Sequence, residues 1–403
     1  MTTVYLKGIS QALNLLKARA KKYKRALIKI TFDDFAEENV LFIDEIADEL
    51  EKALKLRDLC EFEVYRKEFE AQSSDYFACP YALATSSGTA ALSFSLTALG
   101  VGPGDQVITT PHTYIATALS ISDIGAVPVF ADIGKDFNID PAEIGKKISP
   151  RVKAILPVHL YGLPCRIKEI CVLAKKHGIR VVEDCCQAQG ASFEGRPVGS
   201  FGEAGCFSFH PTKIVSGLGD GGMIITSETA VVKKVEKLRE AFFNDKETLK
   251  SLKTPASLDV VHIPFLKVKL RHIDEILEKK RSLAGVYSSL LAGIPEIVLP
   301  RPESNVASSF RNYTIMAENR GGLLRHLLSK GIEAKIFYDI PLHLRREFLH
   351  LGYRKGDFPV CERIYEEIIS LPISYALKPE KAAEIAEEIR RFYETLRAHK
   401  LAN

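Results

Sequence analysis

The segment Gly178-Ile-Arg-Val-Val-Glu-Asp184 carries the clearest indication of the fold. Its centre is a short apolar run that ends in two carboxylates, and Gly178 stands where a preceding helix should stop. Similar apolar runs, separated by helical stretches, recur from residue 80 to 226. They are Val107–Thr110, Val127–Ala131, Ala154–Val158, Cys206–Phe209 and Met223–Thr226. Continuous apolar strands of this length are typical of a mainly parallel sheet that is covered on both faces.

The rest of the chain extends this α/β pattern. Helical periodicity returns in 231–243 and 267–291, and after a Pro- and Gly-rich break the chain mixes a strand at 313–317 with helices at 323–330 and 379–398. We therefore expect a large, mainly parallel sheet domain and a smaller α+β C-terminal domain. The predicted divisions are 1–50, a helical N-terminal extension; 51–265, the large α/β domain; and 266–403, an inter-domain helix with the C-terminal domain.

Composition excludes several classes of protein. The 403 residues carry a net charge of only +4, which is too mild to indicate nucleic acid as the main partner. No apolar run is long enough for a membrane span, and the N-terminus lacks the order of a secretory signal, so a cytoplasmic protein is expected. The eight cysteines show neither CxxC pairs nor Cys/His ligand spacing, which predicts free structural thiols and no metal site.

Two oppositely charged stretches precede the sheet region. Residues 10–30 hold seven basic side chains, and 33–51 are rich in Asp and Glu. A basic helix could dock on nucleic acid or on a membrane surface. We prefer the interpretation of a solvated helix face, or of one packed against its acidic neighbour.

Two polar groups at expected strand ends are candidates for a site. Ser86-Ser-Gly-Thr89 precedes a strong helix, so Gly88 would allow close backbone approach and Thr89 would offer a hydroxyl beside free N–H groups, as a phosphate seat requires. The same residues could simply cap the helix. Asp184, with Gln187 three residues on, could hold a ring nitrogen protonated, bind a metal or cap a following helix.

Two further groups lie at the ends of other strands. Ser208 and Lys213 follow one strand and are succeeded by the glycine-rich segment 217–222. A lysine that is partly desolvated beside a sheet has a lowered pKa and can form an imine, whereas most loop lysines are merely exposed. Tyr114, after the strand 107–110, could lie over a planar ring.

In combination these groups indicate one cofactor. A phosphate seat, a stacking aromatic, a carboxylate for a pyridine nitrogen and an imine-forming lysine are the groups that pyridoxal phosphate (PLP) requires. The combination is far more specific than any one of its members, and it predicts a PLP site.

Several motifs in the right order resemble one family. Ser87-Gly-Thr-Ala-Ala-Leu, Val158-His-Leu-Tyr-Gly, Glu183-Asp-x-x-Gln-Ala, Phe207-Ser-Phe-His-Pro-Thr-Lys and Gly219-Asp-Gly-Gly are similar to motifs of the DegT/DnrJ/StrS-type aminotransferases. The resemblance runs from about residue 60 to 395. It implies a PLP fold-type I enzyme and a homodimer. It also implies a donor such as Glu or Gln and an acceptor that is a keto-sugar, most often nucleotide-linked.

The resemblance also implies individual roles. Lys213 would bind the cofactor covalently and move the proton, Asp184 would pair with the pyridine nitrogen, and Gln187 would lie near the ring oxygen. The phosphate would lie on Gly88, Thr89 and Ser208, and Tyr114 would stack on the ring. The dehydratase branch of the family carries His where Lys213 stands, so transamination is the expected reaction; His210 is an ordinary loop residue.

Three segments depart from the family pattern. Thr254–Val261 lacks the expected Asn-x-Arg-Met-like sequence, Leu56–Glu63 replaces a glycine-rich substrate loop, and Ile336–Asp339 replaces a His-Tyr-Pro segment. The partner-subunit contact and the sugar-recognition elements are therefore altered. Two alternatives follow: a PLP enzyme that acts on a cyclitol or another ketone, and a PLP-binding regulator or scaffold without turnover.

Overall fold

The computed structural model describes residues 29–244 and 257–402, and its centre is a seven-stranded sheet. The strands of this sheet are β1 (Tyr81–Thr85), β2 (Gln106–Thr109), β3 (Val127–Phe130), β4 (Val152–Ile155), β5 (Arg180–Asp184), β8 (Ala204–Ser208) and β9 (Gly222–Thr226), in the spatial order β1-β9-β8-β5-β4-β2-β3. All neighbours from β8 to β3 are parallel, and β9 alone runs in the opposite direction, antiparallel to both β8 and β1. The predicted fold class is confirmed.

Helices cover both faces of the sheet, as the continuous apolar strands indicate. Met223 and Ile225 face one buried cluster, which α3 (Leu59–Tyr76) closes with Phe69, while Ile224 faces another, closed by α4 (Gly88–Ala98). The other helices before the small domain are α1 (Phe35–Leu41), α2 (Ile43–Leu54), α5 (Ile115–Asp123), α6 (Pro141–Lys147), α7 (Ile167–His177), α8 (Thr229–Asn244) and α9 (Ile263–Arg271). Burial on both faces explains why these strands do not alternate polar with apolar residues.

The element boundaries agree closely with the predictions, with two differences. Gly178 ends α7 with a left-handed backbone of φ 65°, as expected of a C-terminal glycine. The run Ala154–Val158 leaves the sheet after Ile155, and Val158 makes only an isolated bridge to Asp184. The single helix predicted over 267–291 is wrong. The chain forms α9 and then α10 (Ile273–Leu291), because the backbone of His272 departs from helical geometry at φ −100°, ψ 8°.

A smaller α+β region follows α10. Its elements, with two earlier strands, are β6 (Ser192–Phe193), β7 (Arg196–Pro197), β10 (Ile297–Val298), β11 (Val306–Ala307), β12 (Tyr313–Ala317), β13 (Ile368–Leu371), α11 (Arg320–Ser329), α12 (Pro359–Glu367) and α13 (Pro379–Ala402). Its antiparallel sheet has the order β10-β12-β13, and a short sheet, β11-β6-β7, links it to the large domain. The N-terminal segment joins this region, because Ile30 bridges to Ile332.

Some predictions concern residues outside the described ranges. Most of the basic stretch 10–30 lies there, as do Thr254, Pro255 and Ala256 of the altered segment. The acidic stretch 33–51 lies within the described residues and forms α1 and most of α2. Between residues 29 and 402, leaving out 245–256, no helix has both the length and the apolarity needed to cross a membrane.

Candidate active site

All seven residues proposed from the sequence line one cleft of about 500 Å³. The cleft opens at the carboxyl ends of the parallel strands, where ligands of α/β sheets bind, and the small domain forms its far wall. The seven are Gly88, Thr89, Tyr114, Asp184, Gln187, Ser208 and Lys213. The structure therefore brings together residues that are spread over 126 positions of sequence, from 88 to 213.

The helix α4 meets the end of β8 at Gly88. Ser87 caps the helix, because its hydroxyl accepts a hydrogen bond from the N–H of Ala90 at 3.1 Å. A Cβ placed on Gly88 would lie 2.8 Å from both Cys186 Sγ and Ser208 Cβ, so only glycine allows this approach. The helix N-terminus, Thr89 and the Ser208 hydroxyl thus lie on one side of the cleft, which suits an anion such as phosphate.

Asp184 ends β5 and is held by the residues around it. Its Oδ2 accepts a hydrogen bond from the Thr117 hydroxyl at 2.8 Å, and its Oδ1 accepts one from the Cys186 N–H at 3.1 Å. The side chain is buried, yet it lines the cleft. The chain after Asp184 forms turns, so the helix-cap interpretation is wrong. A fixed, buried carboxylate at this edge can hold a protonated ring nitrogen.

A neighbouring acidic group has a structural role. His159, Glu183 and Cys185 lie close enough to hold a metal ion, but the ligand atoms of His159 and Glu183 already have hydrogen-bond partners. Cys165 N–H donates to His159 Nδ1, so Nε2 carries the proton and donates to Glu183 at 3.0 Å. Glu183 also accepts hydrogen bonds from the backbone N–H groups of Gly199, Phe201 and Gly202. This network orders the loop between β5 and β8.

Lys213 lies in the loop after β8, where its own N–H donates to His210 O at 2.8 Å. Burial, with a smaller contribution from the charge of Arg311, lowers the pKa of its amine to about 8, although Cys186 and Asp184 oppose the shift. A larger fraction of the amine is therefore neutral near pH 7.5 than in an ordinary lysine. The neutral amine is the nucleophile that imine formation requires.

Gln187 and Tyr114 both line the cleft beside Tyr338. Gln187 Oε1 accepts from the Tyr161 N–H, and its Nε2 donates to the Tyr338 hydroxyl, both at 3.1 Å. The ring of Tyr114 is 56% exposed, and its centroid lies 6.0 Å from that of Tyr338. Tyr114 therefore stands at the mouth of the cleft, free to lie against a bound ring.

Sequence reasoning missed several residues of this cleft. Thr117, which anchors Asp184, lies in a helix that carried no motif, and Asp33 belongs to a stretch interpreted as an acidic helix face. Arg311, Lys335 and Tyr338 come from the small domain. Tyr338 lies in the segment Ile336–Asp339, which departs from the family pattern. That departure is the signal by which the sequence could have indicated a role for Tyr338 in the site. His210 also lines the cleft, although the sequence suggested no role for it.

Comparison with known proteins gives consistent results. A family model described as the DegT/DnrJ/EryC1/StrS aminotransferase family matches residues 42–390. A "Pleiotropic regulatory protein" of Geobacillus stearothermophilus is 39% identical over 82% of this chain and 89% of its own length. A UDP-N-acetyl-3-dehydro-alpha-D-glucosamine 3-aminotransferase of Acidithiobacillus ferrooxidans is 38% identical over 80% and 87%. The crystal structure of S. venezuelae DesV with a ketimine intermediate is 32% identical, covers 91% of this chain and 99% of DesV, and superposes with a TM-score of 0.85.

Proposed function

The chain belongs to the DegT/DnrJ/EryC1/StrS aminotransferase family, and we propose that it transfers the amino group of an amino acid, such as glutamate or glutamine, to a nucleotide-linked keto-sugar. The observation that carries this proposal is the meeting of Lys213, Asp184 and the Gly88 cradle in one cleft. The aminotransferase of A. ferrooxidans described above is named for a UDP-linked keto-sugar, which supports this choice of acceptor.

PLP is the cofactor of this family, and the cleft fits it. The donor set has the required chemistry: a helix N-terminus with two hydroxyls for a phosphate, a fixed carboxylate and a lysine amine whose pKa is lowered to about 8. When bound, the cofactor supplies an electron sink that allows the Cα–H bond of the donor to break.

Each of the seven site residues has a defined task in this proposal. Lys213 attaches the cofactor and then carries the proton between the donor carbon and the carbon that receives it. Asp184, held by Thr117, keeps the ring nitrogen protonated, and Gln187 binds near the ring oxygen. Gly88, Thr89 and Ser208 hold the phosphate, while Tyr114 covers the ring and limits the entry of water.

The overall reaction balances without an external oxidant or reductant. An amino acid and a ketone give a 2-oxo acid and an amine, so the donor carbon is oxidised by two electrons and the acceptor carbon is reduced by two. One water enters when the 2-oxo acid leaves, and one is released when the ketone is consumed. The two substrates use the same site in turn, which gives ping-pong kinetics.

The proposal is tested by absorbance spectra of the purified protein with PLP, before and after glutamate. Wild-type protein should show a visible cofactor band that glutamate bleaches, and Lys213→Ala should show neither the band nor the response. Lys146→Ala, which removes an exposed lysine paired with Glu143, is the matched control and should behave as wild type. A wild-type protein that binds no PLP would overturn the proposal. Incubation of the bleached protein with keto-sugar nucleotides, cyclitol ketones and simple ketones then identifies the acceptor by product mass.

We propose a homodimer in the cytoplasm. The resemblance to the family implies an active site at a subunit interface, which supports the dimer. All eight cysteines are unpaired, which is typical of a reducing compartment and supports the location. Light scattering at several protein concentrations measures the assembly. A monomer with full activity would contradict the dimer.

A regulatory function without turnover is the second candidate, because the G. stearothermophilus relative is named as a regulatory protein. That interpretation requires a binding partner and predicts that glutamate leaves the cofactor spectrum unchanged. A dimer that does not bind nucleic acid, and whose cofactor band is bleached by glutamate, would contradict this interpretation.

A further inference from the structure

Three charged side chains meet on the wall of the cleft and have no role in the proposal above. Asp33 Oδ2 accepts a hydrogen bond from Lys335 Nζ at 2.9 Å, and Asp33 Oδ1 lies 3.7 Å from Arg311 Nη2. The Arg311 side chain is only 11% exposed, and its Nη1 donates to Asn312 Oδ1 at 2.7 Å. Two cations and one anion leave this group, which we call the Asp33 cluster, with a net charge of +1.

The Asp33 cluster stands beside the reactive lysine. Asp33, Lys213 and Arg311 line the main cleft and also a second cavity of about 30 Å³ behind it, so they belong to the partition between the two spaces. Burial is the main cause of the lowered pKa of Lys213, and the positive charge of Arg311 contributes in the same direction. A ligand that reacts at Lys213 therefore lies in the same cleft as the Arg311 guanidinium.

Backbone contacts hold Asp33 in this position. The N–H of Ile30 donates to Gly331 O at 3.0 Å, and the N–H of Glu333 donates back to Ile30 O at 2.9 Å. The N–H of Phe32 donates to Glu333 Oε2 at 3.0 Å. The segment that carries Asp33 thus runs beside the segment that carries Lys335, and the carboxylate is presented to both cations by the fold.

A transaminase of this kind must bind two unlike substrates in one place. The amino acid carries a carboxylate on its reacting carbon, whereas a keto-sugar carries none there. We propose that Arg311 and Lys335 form the subsite for the α-carboxylate of the amino donor, and that Asp33 is the internal counter-anion that neutralises them when the sugar occupies the cleft. This inference rests on the proposed function and specifies how its site recognises the donor.

The geometry favours a carboxylate over the diphosphate of a nucleotide-linked sugar. The α-carboxylate is bonded directly to the reacting carbon, while the diphosphate is separated from the ketone by atoms of the sugar ring. Arg311 and Lys335 both lie beside Asp33, so the two cations form one group in the cleft that holds the reactive lysine. A guanidinium is also the group that binds a planar carboxylate through two parallel hydrogen bonds.

Two measurements on the PLP-loaded protein test this subsite. The first is the dissociation constant of glutarate, a dicarboxylate without an amine, by calorimetry. The second is the glutamate concentration that half-saturates bleaching of the cofactor band. Arg311→Gln and Lys335→Met should raise both values at least tenfold, and Arg311→Lys should recover part of the loss. Asp33→Asn should lower the glutarate dissociation constant several-fold, because it removes the competing internal anion.

The control is Arg397→Gln, which breaks an Arg–Glu pair in the same domain, with Glu296, away from the cleft. It should leave both values unchanged. The subsite would be overturned if Arg311→Gln and Lys335→Met had the same glutarate dissociation constant and the same half-saturating glutamate concentration as wild type. A loss of dTDP or UDP binding in these variants with unchanged glutamate constants would also overturn it, since that result would assign the cations to the sugar diphosphate.

Failure of this inference is distinguishable from failure of the proposed function. A wild-type protein that glutamate bleaches, with variants that respond identically, would remove the subsite and leave transamination intact. A wild-type protein that no amino acid bleaches would remove the transaminase proposal. Glutarate binding requires no turnover, so it decides the subsite in that case as well.

Discussion

The hydroxyl of Thr117 donates to Oδ2 of Asp184 across 2.8 Å, in a buried position between helix α5 and the end of strand β5. Thr117 also shares a hydrogen bond with Thr113 at 3.0 Å, so a short polar chain leads to the carboxylate. The bond fixes the rotation of the carboxylate. A side chain that touches no substrate therefore positions the group proposed to control the cofactor.

Replacement of Thr117 should weaken cofactor binding. Thr117→Val keeps the shape of the side chain but removes a hydrogen bond to a buried charge, which costs about 1.5–3 kcal/mol. We expect PLP affinity to fall roughly 10- to 100-fold by the same conversion. Equilibrium titration of the cofactor band measures this change. Thr117→Ser retains the hydroxyl and should bind PLP nearly as wild type, and equal affinity for the Val variant would contradict the role.

The pKa of Lys213 should appear in the rate of cofactor attachment. Only the neutral amine attacks, and since burial lowers its pKa to about 8, the rate should rise about tenfold per pH unit up to pH 8 and then level off. Arg311→Gln removes a cation that depresses this pKa, so the inflection should move to higher pH. Stopped-flow absorbance of apoprotein mixed with PLP measures the profile. An inflection near 10.4, the value of an ordinary lysine, would contradict it.

A side chain at Gly88 should disrupt the phosphate seat. Gly88→Ala places a Cβ 2.8 Å from Cys186 Sγ and Ser208 Cβ, so helix α4 must shift away from β8. We expect a stability loss of about 1–3 kcal/mol from overpacking, together with weaker PLP binding. Urea unfolding and cofactor titration measure the two effects.

Gly285→Ala is the matched control for Gly88→Ala. Gly285 also lies in a helix, α10, but a Cβ there meets no atom within 4 Å. It should be neutral or stabilising by up to about 1 kcal/mol, from helix propensity. If both alanine variants were equally stable and bound PLP equally, close approach at Gly88 would not be required.

The buried Lys280 should make stability depend on pH. Its amine donates to Ile373 O, and burial lowers its pKa to about 8, so above pH 8 the folded state loses a proton that the unfolded chain keeps until about pH 10.5. Because the unfolded state then binds more protons, stability rises with pH through this window. Wild type should gain about 2 kcal/mol relative to Lys280→Met between pH 7 and 9.5.

Urea unfolding at the two pH values measures this difference. Lys381→Met removes an exposed lysine paired with Glu384 in helix α13 and should show no such gain. A constant difference between wild type and Lys280→Met at both pH values would show that Lys280 keeps its proton in the folded protein. Other titrating groups contribute equally to the unfolding free energy of wild type and of Lys280→Met, so their contributions cancel when the two proteins are compared.

Local sequence signals account for the sheet and for the seven proposed cofactor residues. An apolar run followed by polar residues fixes both the strand and the edge of the sheet at which its last side chains stand, as at Asp184 and Ser208. The sequence failed where the pattern was weak. Strand β1 (Tyr81–Thr85) is rich in alanine and was not predicted, and the break between α9 and α10 at His272 carries neither Gly nor Pro.

The fold class and the family followed from the sequence alone, and so did the proposed cofactor groups, because each of these depends on residues that are neighbours along the chain or stand at strand ends. The Asp33 cluster could be found only in the folded structure. Asp33 and Lys335 are 302 positions apart and meet because a non-helical segment near residue 30 pairs with the small domain. Such a contact has no periodicity and no motif, since it depends on how two distant segments pack together. The charges that we propose to distinguish the two substrates therefore become visible only in the folded chain.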